Sequence, residues 1–165
     1  MNATLFFLCP TDCLESIINK VYKGKNFIYT SLGNTLTFDS KTLEYIKGLV
    51  YEQNIKKIYF VLSEQNKMVV DAMEGQTFSQ VRGLQNFNQA IRFHKKQSNL
   101  FWNTTDLVFL TLSYYLNQKI MQLQLNLSAE LYQSVSIKGK VYIKSKNTFV
   151  DIYPNLVCLT EYNLN

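Results

Sequence analysis

A chain of 165 residues fits one domain spanning 1–165, and its 47% apolar and 14% aromatic content is too hydrophobic for a disordered chain. No stretch approaches the roughly 20 apolar residues of a membrane span, and the run from Met1 to Leu8 is short and lacks a basic flank, so neither membrane nor signal peptide is expected. The net charge of +5 is diffuse; the lysines at 138, 140, 144 and 146 alternate with Val141 and Ile143 as on the wet face of a strand, so nucleic-acid binding is not expected.

Leu5 to Leu8 is an apolar run ended by Cys9-Pro10, too brief for a helix and suited to a buried strand. Thr11 or Asp12 can cap the following helix, with Glu15 completing a capping box on Asp12 and Leu14, Ile17, Ile18 and Val21 on one face, before Gly24 ends it. Asn26 to Thr30 reads as a second strand, broken by the loop Ser31-Leu32-Gly33-Asn34. Asp39 or Ser40 caps a second helix with the stripe Leu43, Ile46, Leu49 and Val50, and Ile58 to Leu62 has the continuous hydrophobicity of a strand covered on both faces.

Gln76 to Gln97 is polar and mixed, helix with loops. Asp106 can cap a helix through Leu107, Leu110 and Tyr114 toward Leu123, although Met121, Leu123, Leu125 and Leu127 also alternate at a strand period. Val135–Ile143 and Thr148–Ile152 read as a terminal hairpin turning near Lys146-Asn147. Strands alternating with helices predict an α/β fold: a mostly parallel central sheet flanked by helices, with a C-terminal antiparallel strand or hairpin. Functional loops of such a sheet lie at the strands' C-terminal ends, which puts Cys9–Cys13, Ser31–Asn34 and Ser63–Met68 together.

An odd set of three cysteines, Cys9, Cys13 and Cys158, in a chain large enough to fold unaided predicts free thiols and a cytoplasmic location. The sequon-like triplets at Asn2, Asn103 and Asn126 then carry no meaning. Cys13, near a helix start, is a candidate reactive thiol, but a cysteine nucleophile needs a base and the single histidine, His94, has no evident route to it. His94 lies in the basic polar run from Arg92 to Lys96 and is expected at the surface.

The three loops, in this order, resemble the active-site segments of β-carbonic anhydrases. In that family one strand ends in Cys-x-Asp-x-Arg, a second in an Arg-Asn-Ala-Gly-Asn type loop, and a third in Gly-His-x-x-Cys-Gly. The matching stretches are Leu5 to Cys13, Ile28 to Asn34 and Ile58 to Met68, and Gly139-Lys140-Val141-Tyr142 resembles the family's late Gly-x-Val-Tyr strand. The resemblance implies that Cys9 matches the first zinc-binding cysteine. Thr11 stands in place of the family's aspartate and Cys13 in place of its arginine, with Asp12 a substitute only if the loop shifts by one residue. Ser63 stands in place of the zinc-binding histidine, Asn66 in place of the second zinc-binding cysteine, and Lys67 in place of the glycine after it.

Hydration of CO2 needs a zinc-bound water whose pKa is lowered to about 7, on a zinc held by about three protein ligands. Ser63 and Asn66 are poor ligands for zinc, and Cys9 alone does not hold it. The expectation is therefore a zinc-free, non-catalytic relative with a binding or regulatory role, no cofactor, and the homodimer the resemblance implies. A small anion on backbone N–H groups at Gly33 and Asn34, or a protein partner, are its possible ligands. Two alternatives stand beside it: an active carbonate dehydratase with a zinc set drawn from Cys9, Cys13, Cys158 and His94, and an unrelated α/β binding module. The cleft is either open or filled by side chains such as Lys67 and Met68.

Overall fold

The computed structural model describes residues 3–76, 82–101 and 106–156. Its strands are β1 (Ala3–Leu8), β2 (Lys25–Thr30), β3 (Ile55–Ser63), β4 (Ser136–Ile143) and β5 (Thr148–Asp151). Its α-helices are α1 (Glu15–Val21), α2 (Ser40–Glu52), α3 (Lys67–Met73), α4 (Arg82–Phe101), α5 (Leu107–Asn126) and α6 (Ala129–Ser134). Among the described residues no helix is long and apolar enough to cross a membrane.

The described strands form one sheet in the order β2-β1-β3-β4-β5, parallel except for the antiparallel β4–β5 pair. This is the expected α/β architecture, with the expected C-terminal hairpin. The hairpin turns through a 3₁₀ segment at Lys144–Lys146 and closes on Asn147 in the left-handed region (φ 48).

β1 and β3 are central, and their near-continuous apolar sequence follows from burial on both faces. Alternation sorts their side chains into two cores. Phe6, Leu8, Tyr59 and Val61 face α1 through Leu14 and Ile18, while Leu5, Phe7, Ile58, Phe60 and Leu62 face the larger helical layer. Register sets Phe7 opposite Phe60, ring centroids 4.7 Å apart, and Phe6 opposite Tyr59, at 5.4 Å. Pairs of this kind add about 0.5–1.5 kcal/mol beyond the area they bury.

The strand order places the site. From β1 the chain passes to its neighbour β2, then crosses back over β1 to β3. The segments leaving the C-terminal ends of β1 and β3 diverge to opposite faces of the sheet, α1 to one and α3 to the other. Such a switch point opens a crevice between two adjacent parallel strands.

Three sequence expectations change. Asp12 does not cap α1: Pro10–Asp12 is a 3₁₀ turn, Cys13 follows in the left-handed region (φ 52), and α1 starts at Glu15 without a side-chain cap. Val21, expected on the apolar face, is 53% exposed because the short helix ends on it. His94, expected at the surface, is buried, its ring stacked on Tyr114 at 5.9 Å and its Nε2 3.1 Å from Gln118 Oε1. The polar run around it is one face of the 20-residue helix α4, and position 94 falls on the other face, against α5. The helix expected from Asp106 toward Leu123 is present as α5, and the alternation over Met121–Leu127 lies within it: α5 continues to Asn126, with Leu123 fully buried and Leu125 exposed.

Candidate functional site

The three loops meet at the switch point. Cys9 ends β1, fully buried, and its Sγ accepts a hydrogen bond from the Gly33 N–H at 3.1 Å and lies 3.0 Å from Thr11 Oγ1. Thr11 Oγ1 also accepts from the Asn66 amide at 3.3 Å. The same amide donates to Asp12 Oδ1 at 2.8 Å, and the Ser63 N–H donates to Asp12 Oδ2 at 2.9 Å. Cys9, Thr11, Asp12, Ser63 and Asn66 thus form one hydrogen-bonded cluster spanning the ends of β1 and β3.

The carboxylate of this cluster belongs to Asp12, one residue beyond the position that the motif assigns. The Pro10–Asp12 turn swings Asp12 back over the end of β3. Burial raises the Asp12 pKa above its ordinary value, with Glu15 adding to the rise, while the hydrogen bonds from Ser63 and Asn66 oppose it.

Asn66 is oriented by a second task. Its Oδ1 caps α3 by accepting from the Val69 N–H at 3.0 Å, so its NH2 must face Thr11 and Asp12. Ser63 Oγ accepts from the Gln65 N–H at 3.2 Å. Asn34 and Gly33 hold the third loop. Both have positive φ (55 and 58), and the Asn34 amide donates to the Val61 carbonyl at 3.0 Å, tying the loop to β3. A side chain at Gly33 has no room, since its Cβ would fall 2.7 Å from Phe87 Cε2. Tyr115, from the middle of α5, donates its hydroxyl to the Gly33 carbonyl at 2.7 Å and lies 3.3 Å from that of Asn34; burial and Cys9 push its phenol pKa well up.

Cys13 stands apart: it is exposed, and its Sγ is 3.6 Å from the Pro10 carbonyl oxygen. Met68 is buried while Lys67 is exposed, so Lys67 does not fill the cluster. Cys158 lies outside the described residues. The backbone N–H groups of Gly33 and Asn34 are both engaged, with Cys9 Sγ and with the Ser31 carbonyl at 3.0 Å.

The fold that carries this cluster is similar to those of solved β-carbonic anhydrases. The described fold is similar to the β-carbonic anhydrase CafA of Aspergillus fumigatus (TM-score 0.69, 15% identity, over 92% of this chain and 75% of that one). It is similar to the wild-type β-carbonic anhydrase CafD of the same fungus (TM-score 0.65, 17% identity, 93% and 90%) and to a tetrameric β-carbonic anhydrase of Sordaria macrospora (TM-score 0.67, 10% identity, 91% and 79%). This is the β-carbonic anhydrase fold. No family model and no curated protein matches the chain by sequence.

A catalytic zinc fits this β-carbonic anhydrase fold only where about three anionic or imidazole donors converge with a position left for water. The loops here bring two such donors together, the Cys9 sulfur and the Asp12 carboxylate, and both are engaged by neighbouring groups. At the third corner Asn66 presents N–H groups, which repel a cation. Among the described residues no group of three or more His, Cys, Asp or Glu side chains converges. His94 is held between α4 and α5, against Tyr114 and Gln118. The donor chemistry of the cluster does not fit a catalytic zinc.

The sequence offers Asp12 as the carboxylate only if the loop shifts by one residue, and a second feature escapes it altogether. The role of Asp12 depends on the 3₁₀ turn, for which Pro10 at the first turn position is the available signal. Tyr115 is 82 residues from Gly33, and no local pattern links them.

Proposed function

We propose that this chain is a metal-free, non-catalytic protein built on the β-carbonic anhydrase fold, whose role is binding. The observation that carries the reading is the orientation of Asn66. Its oxygen is committed to capping α3, so it offers donors, not acceptors, to the crevice, and those donors are held by Thr11 and Asp12. With Cys9 and Asp12 as the remaining metal-ligating side chain types, the cluster has the chemistry of a structural clasp between β1 and β3. The roles read from the resemblance for Thr11, Cys13, Ser63 and Asn66 belong to this proposal: each stands where zinc chemistry would place a different residue.

Self-association belongs to the proposal as well. A tetrameric relative in fold supports it, as do the exposed Tyr45 and Tyr51 on α2. Light scattering on purified protein would give a dimer or a higher closed assembly, and a monomer at all concentrations would remove this part.

The zinc question is decided by metal analysis of purified protein together with a CO2 hydration assay. The expected result is zinc far below one per chain and no acceleration of hydration. About one zinc per chain with hydration activity would establish the alternative, an active carbonate dehydratase with a different ligand set. A rebuilt variant, Ser63→His with Asn66→Cys, should acquire about one zinc per chain through Cys9 and the two new side chains. A folded double variant that stays zinc-free would show that the loops do not have the relative placement described.

A further inference from the structure

A second feature lies away from the cluster, where the chain leaving Asn34 passes over α4 and α5. A crevice of about 420 Å3 opens there, within the size range of small-molecule sites. Leu36, Phe38, Phe87 and Tyr115 supply its apolar wall, and Phe87 and Tyr115 pack edge to face at 5.4 Å. Gln118 and Gln122, one helical turn apart on α5, supply polar groups.

Among the described residues the crevice contains one cation and no acid. Lys119 projects into it with its Nζ 5.8 Å from the Tyr115 ring centroid. No described Asp or Glu lines the crevice. Burial pushes the Lys119 pKa down to about 8, as for a half-buried cation with no described acid beside it. An anion in the crevice would supply that charge, and the aromatic wall would take an apolar body attached to it.

We propose that this crevice is a binding site for a small amphipathic anion, an aromatic or aliphatic carboxylate or sulfonate, with its charged group on Lys119 and its apolar body against Phe38, Phe87 and Tyr115. The site is independent of the zinc question, since none of these residues belongs to the Cys9–Asp12–Asn66 cluster. The two touch through Tyr115, whose ring lines the crevice and whose hydroxyl holds the Gly33–Asn34 loop.

The test uses 1-anilinonaphthalene-8-sulfonate and its neutral analogue N-phenyl-1-naphthylamine, titrated by fluorescence into the full chain. The sulfonate should bind at one saturable site per chain. Lys119→Gln should weaken it by about tenfold or more, leave the neutral probe within about twofold, and be rescued by Lys119→Arg. Near-ultraviolet circular dichroism identifies a variant that has not folded, and then the arginine variant and the two-probe ratio in the wild type carry the test. Tyr115 is the other titratable group on the crevice, and its raised phenol pKa keeps it neutral. Sulfonate affinity should therefore fall at alkaline pH, as Lys119 loses its proton, in the wild type and not in Lys119→Gln. Equal affinity for the two probes, a Lys119→Gln variant within about twofold of wild type for the sulfonate, or loss of binding whenever the chain self-associates would each overturn the proposal; the last would mean that a second copy covers the crevice.

Discussion

The two polar regions of this molecule are built on opposite principles. At the switch point Cys9, Thr11, Asp12, Ser63 and Asn66 bond to one another, over distances of 2.8–3.3 Å. In the crevice beside α5, Lys119 has an aromatic face beneath it and no described carboxylate lining its surroundings. The contrast teaches where this fold can spare polar chemistry. Where the family resemblance lies, the groups act as structure; where no motif lies, a charged group lines a crevice with no described acid. Tyr115 joins the two, with its hydroxyl in the first region and its ring in the second.

The comparison breaks most forcefully at Asn66. Asn66→Ala removes the α3 cap and both donors to the Thr11–Asp12 side, leaving Asp12 buried with one hydrogen bond fewer, and should cost about 2–4 kcal/mol in denaturant unfolding. A cost near zero would mean that the cluster is not the clasp described. Tyr115→Phe sharpens the link between the regions. It leaves the ring in the crevice but strips the donor from the buried Gly33 carbonyl, for an expected cost of about 1–3 kcal/mol. Naphthylamine binding in the same variant should be little changed.

The smallest effect is at Lys119 and appears only as pH dependence. Its pKa is lowered in the fold from 10.5 to about 8, so between those values the unfolded chain binds more protons than the folded one. Stability contributed by this residue therefore rises with pH across that window and is lost below it, where the buried amine must be charged. Lys119→Gln should be more stable than wild type at neutral pH by up to about 1 kcal/mol, allowing for partial solvent screening, with the difference shrinking toward pH 10.5. A pH-independent difference would contradict the lowered pKa of this half-buried amine.

The sheet was legible because its causes are local. Apolar runs at Leu5–Leu8 and Ile58–Leu62 have the length and continuity of buried strands, and Gly33-Asn34 supplies the left-handed residues that the turn requires. Gly139 also has a structural reason beyond the motif: a Cβ there would lie 3.0 Å from Ile152 Cγ1 and 3.3 Å from Leu116 Cβ. The positions of the site residues were legible through the order of the loops, and Cys9, Ser63 and Asn66 do belong to one cluster. What escaped depends on tertiary geometry. Asp12 reads both as a helix cap and as a displaced site carboxylate until the 3₁₀ turn directs it to Ser63 and Asn66, and His94 reads as a surface residue until α4 packs its other face on α5. The crevice escapes for the same reason, since Phe38, Phe87 and Lys119 come from three distant segments.

The central claim concerns the metal, and it is tested most directly by the zinc content of the purified wild-type chain after exposure to excess zinc and removal of the unbound ion. A content far below one per chain is expected, because among the described residues Cys9 and Asp12 have no third donor and Asn66 turns its amide hydrogens toward Thr11 and Asp12. A retained content of about one zinc per chain that is lost in Cys9→Ser would contradict it.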